Sequence, residues 1–292
     1  MNRRALLLSF VTAPLGIAAC GSSSASTTAS TAAATAPVIV TSSAAPTTAA
    51  ATTAPSTTAA PTTTVATVTG EVVVLAAASL TGSFTAEAKA FEQANPGTKV
   101  TLSFGASSTL ATQVVQGAPA DVFASADQAN IAKVTDPGLA AGPATVFATN
   151  RLAVIVARGN PKGITGLADL ARGDLIVVLA APEVPVGKYG RQALDKAKVA
   201  VTPKSLEADV KAVVSKVTLG EADAGIVYIT DVKAAGNKAA GVAIPDDVNV
   251  LATYPAVVTK AAKNRTAAAA FLAFLGGTDG RKILVDAGFG PP

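Results

Sequence analysis

The chain has 292 residues, of which half are hydrophobic, 14% are charged and none is histidine. The lack of an imidazole excludes the Ser-His-Asp mechanism and every metal site that depends on histidine. The 23 basic residues barely exceed the 19 acidic ones, and they form no basic run with interleaved aromatic residues, which is evidence against nucleic-acid binding.

The N-terminus has the pattern of an export signal. The basic start Asn2-Arg3-Arg4 precedes an apolar run from Ala5 to Ala19, which is too short to span a bilayer. Small residues precede Cys20, the only cysteine of the chain, and this pattern resembles a bacterial lipobox, in which the cysteine is lipidated. We predict a signal peptide at 1–19 and a lipid anchor on Cys20, with an ordinary signal peptide and an incidental cysteine as the alternative.

A low-complexity segment follows. Residues 22–69 are all Ser, Thr, Ala, Pro, Val or Ile, and they include no charged or aromatic residue. Such a sequence buries too little apolar surface to offset the entropy lost on ordering. We therefore predict a lipid-anchored disordered stalk at 20–69, of a kind that is often O-glycosylated. The stalk would hold a folded domain away from a membrane. The alternative is that the whole chain is a structural wall protein or an adhesin.

Strand and helix patterns alternate from Gly70 to the C-terminus. Buried β-branched runs indicate strands at Glu71–Ala76, Lys99–Phe104, Asp121–Ala124, Arg151–Ala157, Asp174–Leu179, Ala224–Ile229 and Ala252–Val258. Helical spacing and capping residues indicate helices at Gly82–Asn95, Ser108–Gln116, Asp127–Val134, Gly187–Ala197, Asp209–Leu219, Arg265–Leu275 and Asp279–Ala287. This order predicts an α/β fold with mainly parallel sheets. The strands near Arg151 and Ala252 are candidate crossings between two lobes, about 70–154 with 251–292, and about 155–250.

Four strand-to-helix turns are candidate binding elements. They contain Ser79, Ser107, Val186 and Val210, and each presents free backbone N–H groups at the positive end of a helix dipole. Such ends bind anions, and because no turn carries Lys or Arg, an anion there would be held by neutral donors. Ordinary helix capping explains any single turn equally well. Tyr228, at the end of a predicted strand, is a further candidate donor or simply a core aromatic residue.

The motifs at these turns resemble those of the molybdate-binding proteins of ABC importers. The matching segments are Ala76-Ala77-Ala78-Ser79-Leu80-Thr81, Phe104-x-x-Ser107-Ser108-Thr109-Leu110, Gly117-Ala118-Pro119-Ala120-Asp121-Val122-Phe123-x-Ser125-Ala126-Asp127, Val184-Pro185-x-Gly187-x-Tyr189, Asp209-Val210, Gly225-Ile226-Val227-Tyr228, Tyr254-Pro255 and Ala287-Gly288-Phe289. They follow the family order along the whole domain at 70–292.

The resemblance implies a two-lobed periplasmic-binding-protein-like fold of type II, with a hinge and an oxyanion enclosed between the lobes. Ser79 and Ser107 would then donate from hydroxyl and backbone, Val186 and Val210 from the backbone alone, and Tyr228 from its hydroxyl. The metal would be bound through its oxygens, without another cofactor. The chain would be an exported monomer that delivers molybdate or tungstate to a membrane permease, and it would not be an enzyme.

Two positions depart from the family pattern. Val186 stands where a smaller residue is common, and Ala106 replaces a frequent serine. Neither change removes a backbone donor. Asp121 and Asp127 match the pattern but are expected to be turn and cap residues.

The neutral donors favour an anion that carries no proton, because protonated phosphate would need an acceptor. Sulfate, which is smaller than molybdate, is the main alternative ligand. A secreted enzyme is the alternative from another class, although we find no nucleophile motif to support it.

Overall fold

The computed structural model describes residues 68–292 as an α/β unit with two five-stranded sheets. Cys20, the predicted signal peptide and nearly all of the predicted stalk lie outside the described residues. Within 68–292, no helix is both long enough and apolar enough to cross a membrane.

The two sheets have related arrangements. The strands of the described part are β1 (Gly70–Ala77), β2 (Thr98–Gly105), β3 (Val122–Ala124), β4 (Thr145–Asn150), β5 (Leu152–Ala157), β6 (Val177–Ala180), β7 (Ser205–Glu207), β8 (Ala224–Tyr228), β9 (Ala239–Ala243) and β10 (Ala252–Val258). The first sheet has the order β2-β1-β3-β10-β4 and the second the order β7-β6-β8-β5-β9. We call the part around the first sheet lobe 1 (70–150 and 252–292) and the part around the second sheet lobe 2 (152–250).

Helices cover the sheets and follow most of the parallel strands. In the described residues they are α1 (Thr81–Ala94), α2 (Ser107–Val115), α3 (Gln128–Thr135), α4 (Pro185–Lys196), α5 (Val210–Thr218), α6 (Ile229–Ala235), α7 (Arg265–Gly276) and α8 (Thr278–Ala287). Phe84, Ala88 and Phe91, which predicted the buried face of α1, are all buried. Phe84 and Phe91 make edge-to-face contacts with Phe271 of α7, at centroid distances of 6.0 and 5.3 Å. Such aromatic contacts anchor α1 and α7 together in lobe 1.

The predicted parallel pairing is confirmed for part of each sheet, but both sheets are mixed. Strand β10 runs antiparallel to β3 and β4, and β5 runs antiparallel to β8 and β9. Strands β5 and β10 are the first strands after the two passages between the lobes. Each of them runs opposite to the neighbouring strands of the sheet that it joins. Because β5 lies wholly in the second sheet, the chain passes from one sheet to the other at Arg151.

The two passages between the lobes lie side by side and are bonded to each other. The amide of Asn249 accepts a hydrogen bond from the backbone N–H of Leu152 and donates one to the carbonyl of Leu152, both at 3.0 Å. The outgoing and returning segments are therefore held together where the lobes join, which is the geometry expected of a hinge.

Candidate functional site

Lobe 1 contributes two turns that end parallel strands. Strand β1 leads into a short 3-10 turn at Ala78–Leu80, which contains Ser79 and continues into α1. Strand β2 leads to Ala106, an extended residue, and Ser107 is the first residue of α2. Because Ala106 has no side-chain oxygen for capping, the first N–H groups of α2 have no side-chain partner from the residue before the helix.

Lobe 2 contributes two helix starts of the same kind. Helix α4 begins with Pro185, whose ring suits the first helical position, and Val186 follows it. Helix α5 begins with Val210, after Asp209 has capped it by accepting a hydrogen bond from the Ala212 N–H at 3.0 Å. The backbone N–H groups of Val186 and Val210 lie in the first turns, where no helical carbonyl is available to them.

These turns meet around one small cavity between the lobes, with about 210 Å³ of empty space. It is lined by Ala77, Ala78, Ser79, Gly105, Ala106, Ser107 and Ala126 from lobe 1 and by Val184, Pro185, Val186, Asp209, Val210 and Tyr228 from lobe 2. The structure thus brings all five residues of the predicted anion site together, although Ser79 and Tyr228 are separated by most of the domain in sequence. Their role in binding stays a prediction.

The hydroxyl of Ser107 is oriented by a backbone donor. Its Oγ accepts a hydrogen bond from the N–H of Ala126 at 3.0 Å, and the side chain is buried. Because an N–H can only donate, the hydroxyl hydrogen of Ser107 is left for another acceptor. The cavity is the space into which that hydrogen can point.

Tyr228 places a buried hydroxyl at the cavity wall. The residue is 1% exposed, and its Oη has no hydrogen-bond partner among the described residues. Burial raises the pKa of Tyr228 well above its ordinary value, so the phenol keeps its proton and remains a donor. A buried hydroxyl without a partner costs about 1–3 kcal/mol, which a ligand oxygen in the cavity would recover.

The charges near the cavity are already engaged. No Lys or Arg is found among the described residues that line it, and Asp209 is occupied in capping α5. Lys211, next to Val210, pairs with the buried Asp231 at 2.8 Å, and Asp231 also accepts from the N–H of Tyr228 at 3.2 Å. Nor does 68–292 contain a cluster of His, Cys, Asp and Glu able to hold a metal ion directly. The cavity therefore offers neutral donors to an anion.

Known proteins resemble this chain in sequence and in fold. A family model described as bacterial extracellular solute-binding protein matches residues 72–290. The chain belongs to this family. The solute-binding proteins of this family are exported and are not enzymes, which confirms both predictions at that level.

Several relatives of this solute-binding protein have named ligands. The molybdate-binding protein ModA of Mycobacterium tuberculosis H37Rv is 42% identical over 221 residues, which cover 76% of this chain and 85% of that protein. The periplasmic molybdate-binding protein of Azotobacter vinelandii superposes with a TM-score of 0.65 at 25% identity, covering 76% of this chain and 99% of that one. The sulfate-binding protein SubI of Mycobacterium tuberculosis shares the fold, with a TM-score of 0.70 at 22% identity over 76% of this chain and 86% of that one.

Two acidic residues of the solute-binding protein are structural, as predicted. Asp127 caps α3 by accepting from the N–H of Asn130 at 3.0 Å. Asp121 accepts from the N–H groups of Val73 at 2.7 Å and of Lys263 at 2.6 Å, which ties β1 to the segment before α7. Neither lines the cavity.

One residue near the cavity, Tyr254, was not among the predicted site residues. Tyr254, on β10, lies with its Oη 3.0 Å from the Oγ of Ser79 and is fully buried. The pair Tyr254-Pro255 belongs to the motifs that carry the family resemblance, so the sequence contained a signal, but spacing could not bring Tyr254 to Ser79. The structure adds it to the neighbourhood of the site.

Proposed function

We propose that this solute-binding protein captures molybdate or tungstate outside the membrane and delivers it to the permease of an ABC importer. The relatives named as molybdate-binding proteins support this ligand, and the donors around the cavity suit it. The unpartnered hydroxyl of Tyr228 carries the proposal, because it belongs to a buried residue that lines the cavity and has no acceptor among the described residues.

The chemistry of the cavity favours an anion without a proton. Burying a dianion is costly unless every oxygen is hydrogen-bonded. Charge-assisted bonds from the hydroxyls of Ser79, Ser107 and Tyr228 and from the helix starts at Val186 and Val210 can supply this, at about 1.5–3 kcal/mol each. Sulfate also lacks a proton at neutral pH, but it is smaller than molybdate and would leave donors out of reach. Each donor left unsatisfied costs about 1–3 kcal/mol, so a few misfits suffice for discrimination.

Thermal unfolding of the whole protein with molybdate, tungstate, sulfate and phosphate tests the ligand. A ligand at about 100 times its dissociation constant adds roughly 2.7 kcal/mol to the free energy of unfolding. Stabilisation by molybdate and tungstate alone supports the proposal. Stabilisation by sulfate or phosphate instead would mean that the protein binds an oxyanion other than molybdate. If none of the four anions stabilised the protein, the proposed oxyanion site would be contradicted.

Tyr228→Phe tests the observation that carries the proposal. Removing a hydroxyl without a partner should raise the stability of the ligand-free protein by about 1 kcal/mol and weaken molybdate binding by about 1–3 kcal/mol. Thermal unfolding measures the first effect and titration calorimetry the second. Unchanged binding in Tyr228→Phe would remove Tyr228 from the site.

The proposal extends to the membrane anchor, the stalk and the oligomeric state. Cys20 would carry the lipid, the stalk at 20–69 would hold the binding domain away from the membrane, and the protein would act as a monomer. Metabolic labelling with a radioactive fatty acid should mark the native chain and leave Cys20→Ser unmarked. Equal labelling of both proteins, or of neither, would rule out the anchor.

Closure of the lobes would accompany binding, because the donors come from both sides of the hinge. The closed form would then be the state that the permease recognises. Small-angle scattering should show a smaller radius of gyration with molybdate, and an unchanged radius would contradict closure.

A further inference from the structure

A chain of hydrogen bonds leads from the hinge to the cavity. Asn150, the last residue of β4, donates from Nδ2 to the Oγ1 of Thr230 on α6 at 2.8 Å. The same Nδ2 lies 3.4 Å from the Oη of Tyr254, which in turn lies 3.0 Å from the Oγ of Ser79. Four side chains from both lobes are thus connected, and the chain ends at a hydroxyl that lines the cavity.

The direction of this chain is set by a backbone group. The N–H of Arg151 lies 2.9 Å from the Oδ1 of Asn150, and since an N–H can only donate, the atom facing it must be the amide oxygen. The amide nitrogen of Asn150 therefore faces Thr230 and Tyr254. Both hydroxyl oxygens act as acceptors from it.

The hydroxyl of Tyr254 can then donate onward. Its oxygen receives an N–H from Asn150, and the Oγ of Ser79 is a second hydrogen-bond partner of this hydroxyl. Burial raises the pKa of Tyr254 above its ordinary value, so the phenol retains the hydrogen that it donates. Once Ser79 accepts this bond, its own hydrogen is free to point into the cavity.

The same polarity holds at the other serine. The N–H of Ala126 donates to Ser107, as described above, and makes its hydroxyl a donor toward the cavity. In lobe 1, the hydroxyl oxygens of Ser79 and Ser107 therefore each accept a hydrogen bond from another group of the protein. Each of these hydroxyls therefore has its own hydrogen available for an oxygen of the ligand.

We propose that Tyr254 is a positioning and specificity-determining residue, which orients the hydroxyl of Ser79 as a donor to the ligand and so favours fully ionised oxyanions over those that carry a proton. The proposal rests on the function proposed above. It assigns to Tyr254 an effect on the choice of ligand, whereas a purely structural tyrosine would affect stability alone.

Tyr254→Phe tests the role. The ring would keep its edge-to-face contacts with Phe289 and Phe147, at centroid distances of 5.2 and 6.3 Å, so the fold should persist. Ser79 would lose its orienting donor and could accept from a protonated ligand. In titration calorimetry we expect molybdate binding to weaken about three- to tenfold, from the loss of one hydrogen bond's contribution. Inorganic phosphate at neutral pH should weaken less or gain, so the ratio of the two affinities falls.

A double-mutant cycle shows whether the effect passes through Ser79. In Ser79→Ala the hydroxyl that Tyr254 orients is missing, so adding Tyr254→Phe should weaken molybdate binding by less than about twofold more. Thermal unfolding of each variant without anion confirms that it is folded.

The outcomes separate this inference from the function on which it depends. Failure of the native protein to bind molybdate would overturn the proposed function itself. Native binding that Ser79→Ala weakens but Tyr254→Phe leaves intact would overturn only the role of Tyr254. So would an equal loss for molybdate and phosphate, or a loss from Tyr254→Phe that is as large in the Ser79→Ala background as in the native one.

Discussion

The two lobes present the same structural element to the cavity but use different chemistry. In lobe 1 the strand-to-helix turns carry Ser79 and Ser107, so hydroxyls supplement the backbone. In lobe 2 the turns carry Val186 and Val210, where only the backbone N–H can donate, and Tyr228 supplies the hydroxyl. A side-chain substitution can therefore remove donors from lobe 1, whereas the turns of lobe 2 can be damaged only by moving the backbone.

Two buried carboxyl groups, one in each lobe, have different surroundings. Asp231 in lobe 2 is paired with Lys211 and accepts from a backbone N–H. Glu87 on α1 in lobe 1 is 0% exposed, and neither of its oxygens has a hydrogen-bond partner among the described residues. Lobe 2 thus satisfies its buried charge, while lobe 1 keeps a carboxyl group that is stable only when protonated.

The largest effect should come from the backbone of lobe 2. Gly187 lies in the first turn of α4, and a Cβ there would overlap the carbonyl oxygens of Ala180 and Ala181. Gly187→Ala must therefore shift the helix start, and we expect a loss of about 3 kcal/mol in stability together with the loss of molybdate binding. Chemical denaturation and calorimetry measure these. Gly82→Ala is the control, because a Cβ at Gly82 meets nothing within 4 Å; an equal loss there would contradict the steric explanation.

A pH-dependent effect of nearly the same size should come from Glu87 in lobe 1. Burial raises the pKa of Glu87 from 4.5 to about 9. Between these values the folded protein binds a proton that the unfolded chain has released, so stability falls as pH rises through this window. Glu87→Gln removes the titrating group, and its stability relative to the native protein should increase by about 3 kcal/mol between pH 5 and pH 7.5. Urea unfolding at several pH values measures the difference.

Glu92 on the same helix is the matched control for this titration. The hydrogen bond from the Val100 N–H lowers the pKa of Glu92, so its stabilising contribution is lost only as pH falls. Glu92→Gln should therefore show no stability difference that grows between pH 6 and 8. A constant difference for Glu87→Gln over the same range would mean that Glu87 is ionised in the folded protein.

Sequence patterns predicted the elements that carry their own signal. Strand β1 and helix α1 were placed within a residue or two, because a β-branched run and the spacing of Phe84, Ala88 and Phe91 define them locally. Strand β9, at Ala239–Ala243, was missed because its small residues become a strand only by pairing with β5. Helix α6 was missed because it begins directly after β8, without a turn that marks its start.

The candidate donor residues of the site could be predicted from the sequence, but the hydrogen bonds between distant side chains around it could not. Helix-start turns and family motifs pointed to the five residues that the structure brings to one cavity. No local pattern could show that the hydroxyl of Tyr254 meets Ser79, 175 residues away, or that the hydroxyl of Tyr228 has no hydrogen-bond partner within residues 68–292. Glu87 was accessible to the same reasoning that found Phe84, since it lies three residues further on the same buried face of α1.

An intermediate effect should come from a hydroxyl of lobe 1. Ser107→Ala removes one proposed donor to the anion and also leaves the N–H of Ala126 without its 3.0 Å partner. We expect molybdate binding to weaken by about 2–3 kcal/mol, measured by calorimetry. Ser108→Ala is the control on the same turn, because Ser108 is buried but does not line the cavity. Equal effects of the two substitutions would show that the turn, and not the hydroxyl of Ser107, determines binding.

The smallest effect should come from the side chains of lobe 2. Val186→Ala and Val210→Ala leave the backbone N–H groups in place, so molybdate affinity should change by less than about 0.5 kcal/mol, even though both side chains are buried and their truncation lowers stability. Calorimetry of each variant beside Ser107→Ala makes the comparison between lobes direct. A loss as large as that of Ser107→Ala would mean that the walls formed by Val186 and Val210 hold the anion in place, so that lobe 2 also selects its ligand through side chains.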